Sequence, residues 1–304
     1  MADLAFAAIM AIWGSSFAVL RFLLGGAGTR AAASPLLLIT VRMSLASGVL
    51  VAILAVGRRR DLRMSRALLR DGAICGALLG VGFLLQIEGL QRTSASRSGF
   101  LTGLLVVFVP LLEFVFFRKK PPLPALVGLL LAFAGMTLLS APWAQSSAST
   151  FAGDGLTVAC AIVFAAQIIA LGRAAPRHPV LPMLLLQLVG TAAICALAGP
   201  FVDMQRFDGG VRLWAGLVYL ALFATLLAFG VQTWAQKVLP PVRIALLSSL
   251  EPVFAALWAA VFIGERLSGR EFAGGALVIF GILVGEAGAA LRGRKFAEAP
   301  RGDS

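Results

Sequence analysis

Arg42, Gln86, Gln232 and Glu251 each interrupt a long stretch otherwise dominated by Leu, Val, Ala, Phe and Gly. Polar groups in such surroundings need a partner, water or a ligand. A glutamine offers two donors and an acceptor, which suits a zwitterionic or amide-bearing solute. It serves equally to hold two helices together. Arg42 can grip a carboxylate through two parallel N–H donors, or pair with a Glu and fix topology. Glu251, followed by Pro252, sits about 12 Å into its helix at 1.5 Å per residue. It is a candidate for coupling to protons or substrate, or one side of a structural ion pair with Arg42 or another Arg. Trp13, followed by Gly14, Ser15 and Ser16, puts an indole and small polar groups at mid-depth, although Trp favours membrane interfaces. Trp13 and Ser16 therefore either line a cavity or close a packing contact. In the corresponding stretch of the second half, Phe164 to Gln167 again combines an aromatic with a polar group. Glu88 and Trp234 align with each other across an internal repeat, and both can reach the same cavity from opposite halves.

Other chemistries find little material. The single histidine, His178, lies between Pro176 and Pro179 in a polar gap and reads as a loop residue. Cys75, Cys160 and Cys195 each stand alone in an apolar run, without metal-ligand or disulfide spacing. A zinc-dependent or Ser/His/Asp mechanism is thus unsupported. No GxxxxGK[ST] loop is present, so nucleotide-driven transport by this chain alone is unsupported too. The expectation is a protein without catalytic residues, metal or cofactor.

The elements that hold these side chains follow from composition. Of 304 residues, 60% are apolar and only 13% charged, with a mean hydropathy of +0.94. Soluble domains run at about 45–50% apolar and about 25% charged. The deficit of charge extends along nearly the whole length and rules out a water-soluble enzyme. A bilayer core about 30 Å thick needs about 20 apolar residues per helix. Ten spans meet that need, at roughly 4–24, 35–56, 72–91, 97–117, 122–140, 154–172, 180–200, 213–236, 243–264 and 271–289. The first reads as a retained helix and not a cleaved signal, because it lacks a basic start and carries Trp13–Ser16 in its middle.

The formal charge of +12 belongs to the connections. With the N-terminus inside, seventeen Lys and Arg fall on the cytoplasmic side and seven on the other. That asymmetry satisfies the positive-inside rule and predicts both termini cytoplasmic, with no role in nucleic-acid binding. The lipid bilayer is the expected environment.

Shifting 83–140 by 146 residues onto 229–286 gives 13 identities in 58 positions without a gap. Among them are Phe83 with Phe229, Gln86 with Gln232, Arg97 with Arg243, Gly128 with Gly274 and Gly135 with Gly281. Nearby offsets match Asp3 with Asp154 and Arg42 with Gln187. The chain therefore reads as an all-α membrane protein of two five-helix repeats. These are 1–140 and 154–290, joined by a 141–153 linker and followed by a basic cytoplasmic tail, 291–304. Five is odd, so the second repeat enters the membrane from the opposite side. Inverted repeats of this kind build secondary transporters, with the site near the midplane between them.

Particular motifs accompany this pattern. They are Trp13-Gly14 with Phe17, Arg42 in the second span, Thr93 to Phe100 leading to Val109-Pro110, and Leu250-Glu251-Pro252-Val253 leading to Gly264-Glu265-Arg266. Together they resemble the drug/metabolite transporter superfamily, in particular its EamA-type ten-helix members, over about 4–289. The first half departs from the pattern, with Arg118-Lys119-Lys120 where the second has Gly264-Glu265-Arg266. The resemblance implies export of small metabolites such as amino acids, nucleosides or drugs across a bacterial plasma membrane. The expected site set is Trp13, Ser16, Arg42, Gln86, Glu88, Gln167, Gln232 and Trp234, with Glu251 as the coupling candidate. Protons are a candidate coupling ion, and monomer and homodimer both remain open. A channel or scaffold subunit is the alternative. An intramembrane enzyme would want a clustered acidic motif, a His pair or a Ser/His dyad in the spans, and the sequence has none.

Overall fold

A computed structural model describes residues 1–24, 33–57, 64–93, 95–140, 151–199, 210–258, 260–261 and 268–297, with the backbone alone at 17, 21, 95–97 and 286–297. The expected linker falls largely outside these residues, as do Glu265 and Arg266; the tail is described only as backbone to 297. The described residues form helices and their connections. In chain order these are α1 Ala2–Leu23, α2 Pro35–Gly57, α3 Arg66–Leu90, α4 Ala95–Gly103, α5 Leu105–Phe117 and α6 Leu123–Ser140. There follow α7 Phe151–Ala174, α8 Val180–Ala198, α9 Val211–Tyr219, α10 Ala228–Ala235, α11 Pro241–Ser248, α12 Leu250–Trp258 and α13 Gly269–Ala297. Among the described residues, nine stretches are long and apolar enough to cross a membrane, the last of them Pro241–Trp258, and α13 covers the tenth expected span.

Local sequence explains the starts, stops and breaks. Ser65 caps α3 by accepting from the Leu68 amide at 3.1 Å. Beyond α5, Arg118 turns left-handed at φ 55°, and Pro121-Pro122 keeps the helix from resuming at once. Two expected spans are each split into two helices. The fourth breaks at Leu104, six residues before Pro110, and the ninth at Ser249, three before Pro252. Proline removes a backbone donor and clashes with the carbonyl four residues earlier, so the break at Ser249 relieves Pro252, whereas Pro110 is carried inside α5. The eighth span is interrupted differently: Leu220–Leu227 is a π-helical segment between α9 and α10.

Glycine sets the closest approaches. A Cβ on Gly128 would lie 2.4 Å from the Gly281 carbonyl oxygen, and one on Gly281 would lie 2.6 Å from the Gly128 oxygen. Gly135 and Gly274 repeat the arrangement at 2.6 and 2.8 Å. The order of these contacts makes α6 and α13 antiparallel, backbone against backbone, as small residues permit in a bilayer. Elsewhere α3 lies against both α7 and α8, α2 against α8 and the π-helical segment, and α1 against α12 and α10. Gly14 meets Phe254 and Ala255 of α12. Large apolar side chains such as Phe116, Val261 and Phe272 point outward, which suits hydrocarbon surroundings.

One polar cluster ties α3 to the connection between α7 and α8. Asp71 accepts from Arg177 at 3.0 Å and lies 2.9 Å from His178 Nε2, while Lys237 donates to the His178 carbonyl at 3.1 Å. The histidine does sit in a connection, but it is buried there against a carboxylate.

Candidate functional site

Four aromatic rings make a continuous chain through the interior. Trp13 contacts Phe229 at 5.3 Å between centroids, Phe229 contacts Phe83 at 6.4 Å, and Phe83 contacts Phe164 at 5.5 Å. The helices orient the rings. Trp13 is fixed by its indole N–H, which donates to the Ala224 carbonyl in the π-helical segment at 2.9 Å. A π-type register presents backbone differently from an α-helix and is often found at functional sites. Gly82 lets Phe164 come against α3, since a Cβ there would lie 2.3 Å from that ring.

The contacts can be compared at the sequence offsets. Phe83 corresponds to Phe229 at an offset of 146, and Trp13 to Phe164 at 151. The contact Trp13–Phe229 therefore has its counterpart in Phe164–Phe83, and Phe83–Phe229 joins two equivalent residues. Gly128–Gly281 and Gly274–Gly135 are related in the same way.

Polar groups flank the rings on both sides, in contrasting states. Arg42 on α2 is only 6% exposed, and its guanidinium carbon lies 5.1 Å from the centre of the Phe83 ring. Among the described residues it forms no ion pair, and its Nε has no hydrogen-bond partner. Gln187, its counterpart on α8, is fully engaged. It accepts from Gln167 Nε2 at 3.0 Å and donates to Thr233 Oγ1 at 3.2 Å, and Thr233 donates to the Phe229 carbonyl. Gln167, Gln187 and Thr233 are all buried.

Thr225, Phe229 and Gln232 are spaced i, i+4, i+7 along the eighth span, which groups them on one side. Thr225 Oγ1 and Gln232 Oε1 are buried without partners, while Gln232 Nε2 makes a long 3.4 Å contact to Gln236. Gln86 is half-buried, with no hydrogen-bond partner among the described residues. Trp13, Gln86, Gln167 and Gln232 thus belong to the helices that carry the ring chain, and Arg42 reaches it from α2. Ser16 is buried, but its hydroxyl donates to the Trp13 carbonyl of its own helix at 2.7 Å.

Other expected residues lie apart. Glu88 pairs with Arg92 at 2.6 Å near the end of α3. Trp234 is 42% exposed. Glu251 sits one turn before the Phe254–Ala255 stretch that meets Gly14, and it is not paired with Arg42. The spatial arrangement adds residues that sequence reasoning did not single out for the site: Phe83, Phe229, Thr225, Gln187 and Thr233. The identity of Phe83 and Phe229 across the repeat was the available signal for the first two.

At the helix ends, Arg243 forms an ion pair with Asp3 at 2.7 Å, and Thr93 donates to Asp154 at 2.9 Å. Asp3 and Asp154 are counterparts, as are Arg243 and Arg97, whose side chain lies outside the described residues.

Helices of this length and composition define a multi-pass membrane protein, with polar groups facing one another in its interior. Comparison with known proteins gives the family. The chain matches the EamA-like transporter family over residues 1–141 and 151–284, and it belongs to that family. A protein of Archaeoglobus fulgidus named "Uncharacterized transporter" is 28% identical over 286 residues, covering 93% of this chain and 85% of its own. A Salmonella typhimurium protein named "Probable amino-acid metabolite efflux pump" is 27% identical over 216 residues, covering 64% of this chain and 66% of its own. A crystal structure of a protein 22% identical superposes with a TM-score of 0.78, over 94% of this chain and 97% of that one, and shares the fold.

Proposed function

We propose that this protein is a secondary transporter that exports small metabolites, amino acids or similar polar and amphipathic solutes, across the bacterial plasma membrane by alternating access. The observation that carries the reading is the reciprocity of contacts between equivalent residues: Trp13–Phe229 with Phe164–Phe83, and Gly128–Gly281 with Gly274–Gly135. An antiparallel crossing of equivalent helices is what a two-fold axis in the membrane plane generates. Two inverted halves, 1–140 and 154–290, have inward-open and outward-open arrangements of similar energy. Solute binds between them, at the ring chain and its polar flanks. The name of the Salmonella relative supports an amino-acid-like solute, and the Lys and Arg asymmetry supports cytoplasmic termini.

Glu251 is the coupling residue in this reading. It lies beside the α1–α12 contact and is free of any ion pair among the described residues, so it can exchange a proton as the halves move. Glu251→Gln then removes the dependence of flux on a proton gradient while exchange continues.

Counterflow in proteoliposomes tests the transporter. With a mass-resolved mixture of amino acids, nucleosides and amphipathic amines, one class exchanges saturably. Gln86→Ala and Gln232→Ala weaken that exchange while membrane insertion is retained. Flux that never saturates and shows no trans-stimulation would replace the carrier with a channel.

A further inference from the structure

Arg42 carries a charge that no carboxylate among the described residues neutralises. It lies about 10 Å into α2 at 1.5 Å per residue, is 6% exposed, and has no carboxylate partner among the described residues. Its Nε is buried without an acceptor. An isolated buried cation is a large liability in hydrocarbon, and such residues normally pair or serve function. The groups around it do not supply an anion. Phe83 lies under the guanidinium, and Cys195 is the nearby titratable group. Ser47, a turn further along α2, gives its proton to the Met43 carbonyl. A planar guanidinium over an aromatic face, with donors unspent, is suited to one more ligand: an oxyanion held through two N–H bonds.

The surroundings narrow the solute further. Beyond Phe83 run Phe229 and Trp13, a row of apolar rings, buried at Phe229 and half-buried at Trp13, that continues from the cation. Thr225 Oγ1 and Gln232 Oε1 add two unsatisfied polar atoms on the eighth span. A phosphate or a dicarboxylate would bring more negative charge than one arginine neutralises, and the ring chain offers nothing to the excess.

From this geometry we infer that Arg42 is the anchor for the substrate's carboxylate, and that the substrate is a monocarboxylate whose apolar body lies along Phe83, Phe229 and Trp13. The inference deepens the transporter reading and rests on it for the location of the site. Arg42 and Phe83 hold the charged end, while Phe229 and Trp13 accept the body. Unlike a general polar cavity, this site discriminates between an acid and its neutral or amine analogue, because only the acid brings the guanidinium a negative charge and two acceptor oxygens together.

The test uses the full-length protein in detergent and in proteoliposomes, with L-phenylalanine, phenylacetate, phenylalanine amide and phenethylamine as probes. Binding is read from indole fluorescence, since Trp13 is part of the site, and exchange from counterflow. The two acids bind at least about 100-fold more tightly than the amide and the amine, in the range reached when a buried polar group is left unpaired by the wrong ligand. Arg42→Gln abolishes that preference, and Arg42→Lys restores part of it by keeping the charge without the planar fork. Equal binding of acid and amine, or exchange of the amine alone, overturns the anchor while leaving a carrier in place. Acid binding with no exchange upholds the anchor and removes the carrier. Failure of both acids to bind a folded wild-type protein overturns the anchor outright. Should Arg42→Gln not insert, the preference of the wild type among the four probes decides the matter alone.

Discussion

Arg42 and Gln187 occupy equivalent places in the two halves, yet one is unsatisfied and the other saturated. Gln187 bonds to Gln167 and Thr233 in a buried network that joins α7, α8 and α10. Arg42 faces a ring and has no ion pair among the described residues. A repeat begins with two copies of each position, and here the copies have separated in role. The neutral amide closes its hydrogen bonds within the protein and stiffens one half. The cation keeps its donors open. In the proposed carrier, symmetry in the rings and glycines serves movement, and asymmetry in the flanking polar residues serves recognition.

The largest expected effect comes from breaking the unsatisfied side. Arg42→Gln raises the KM for carboxylate solutes by about 100-fold or more in counterflow, the scale of discrimination set by unpaired buried groups. It leaves thermal stability unchanged or raised, since no partner is orphaned. A fall in stability with KM intact would make Arg42 a structural residue.

Next come the glycines, which probe the symmetric part of the comparison. Gly128→Ala and Gly274→Ala, at equivalent positions of the two halves, each drive a methyl into the opposing backbone and cost about 1–3 kcal/mol. Because the contacts are reciprocal, the two losses in unfolding measurements are similar. A large disparity would argue against equivalent roles for the two halves.

Gln187→Leu gives the reverse signature of Arg42→Gln. It strands Gln167, while Thr233 keeps its bond to the Phe229 carbonyl, lowering stability by about 1–3 kcal/mol, with KM little changed per folded molecule. The Gln167→Leu/Gln187→Leu double variant is less destabilised than the sum of the two single changes, because neither partner is left unmatched.

The smallest effect separates the two central rings. Phe83→Leu removes the cation–π contact beneath Arg42, worth about 0.5–2 kcal/mol, while Phe229→Leu does not touch it. The ratio of their KM values is therefore about 2- to 30-fold, Phe83→Leu being the weaker binder. Equal values would detach Arg42 from the ring chain.

Much of this frame is legible in the sequence. Uninterrupted apolar stretches announce the spans, and Gln86/Gln232 with the glycine pairs reveal the repeat, because apolar composition does not align polar and small residues in register. Arg42 stands out because a charge in hydrocarbon demands explanation. Other features depend on geometry that a linear pattern does not carry. A residue's face turns by about 100° per position along a helix, so a match between Glu88 and Trp234 did not say that one would pair with Arg92 and the other point outward. The Glu88–Arg92 pair has the i,i+4 spacing of a helix-surface ion pair and could have been read from that alone. Gln167 and Gln187 meet across two helices, and their residue types do not encode that contact. Nor does Leu220–Leu227 differ in composition from its α-helical neighbours, although its π register carries the carbonyl that fixes Trp13.

The central claim is that two inverted halves alternate around one site, and accessibility at equivalent positions tests it most directly. Thr102 and Ser248 correspond at the offset of 146 and lie on the fourth and ninth spans. In a background where Cys75, Cys160 and Cys195 are replaced, Thr102→Cys and Ser248→Cys are each labelled with an impermeant maleimide from one defined side of proteoliposomes, with and without L-phenylalanine. Alternating access predicts opposite responses, one position gaining reactivity under the condition in which the other loses it. Both positions reacting together from the same side, with no reciprocal change, would contradict the account.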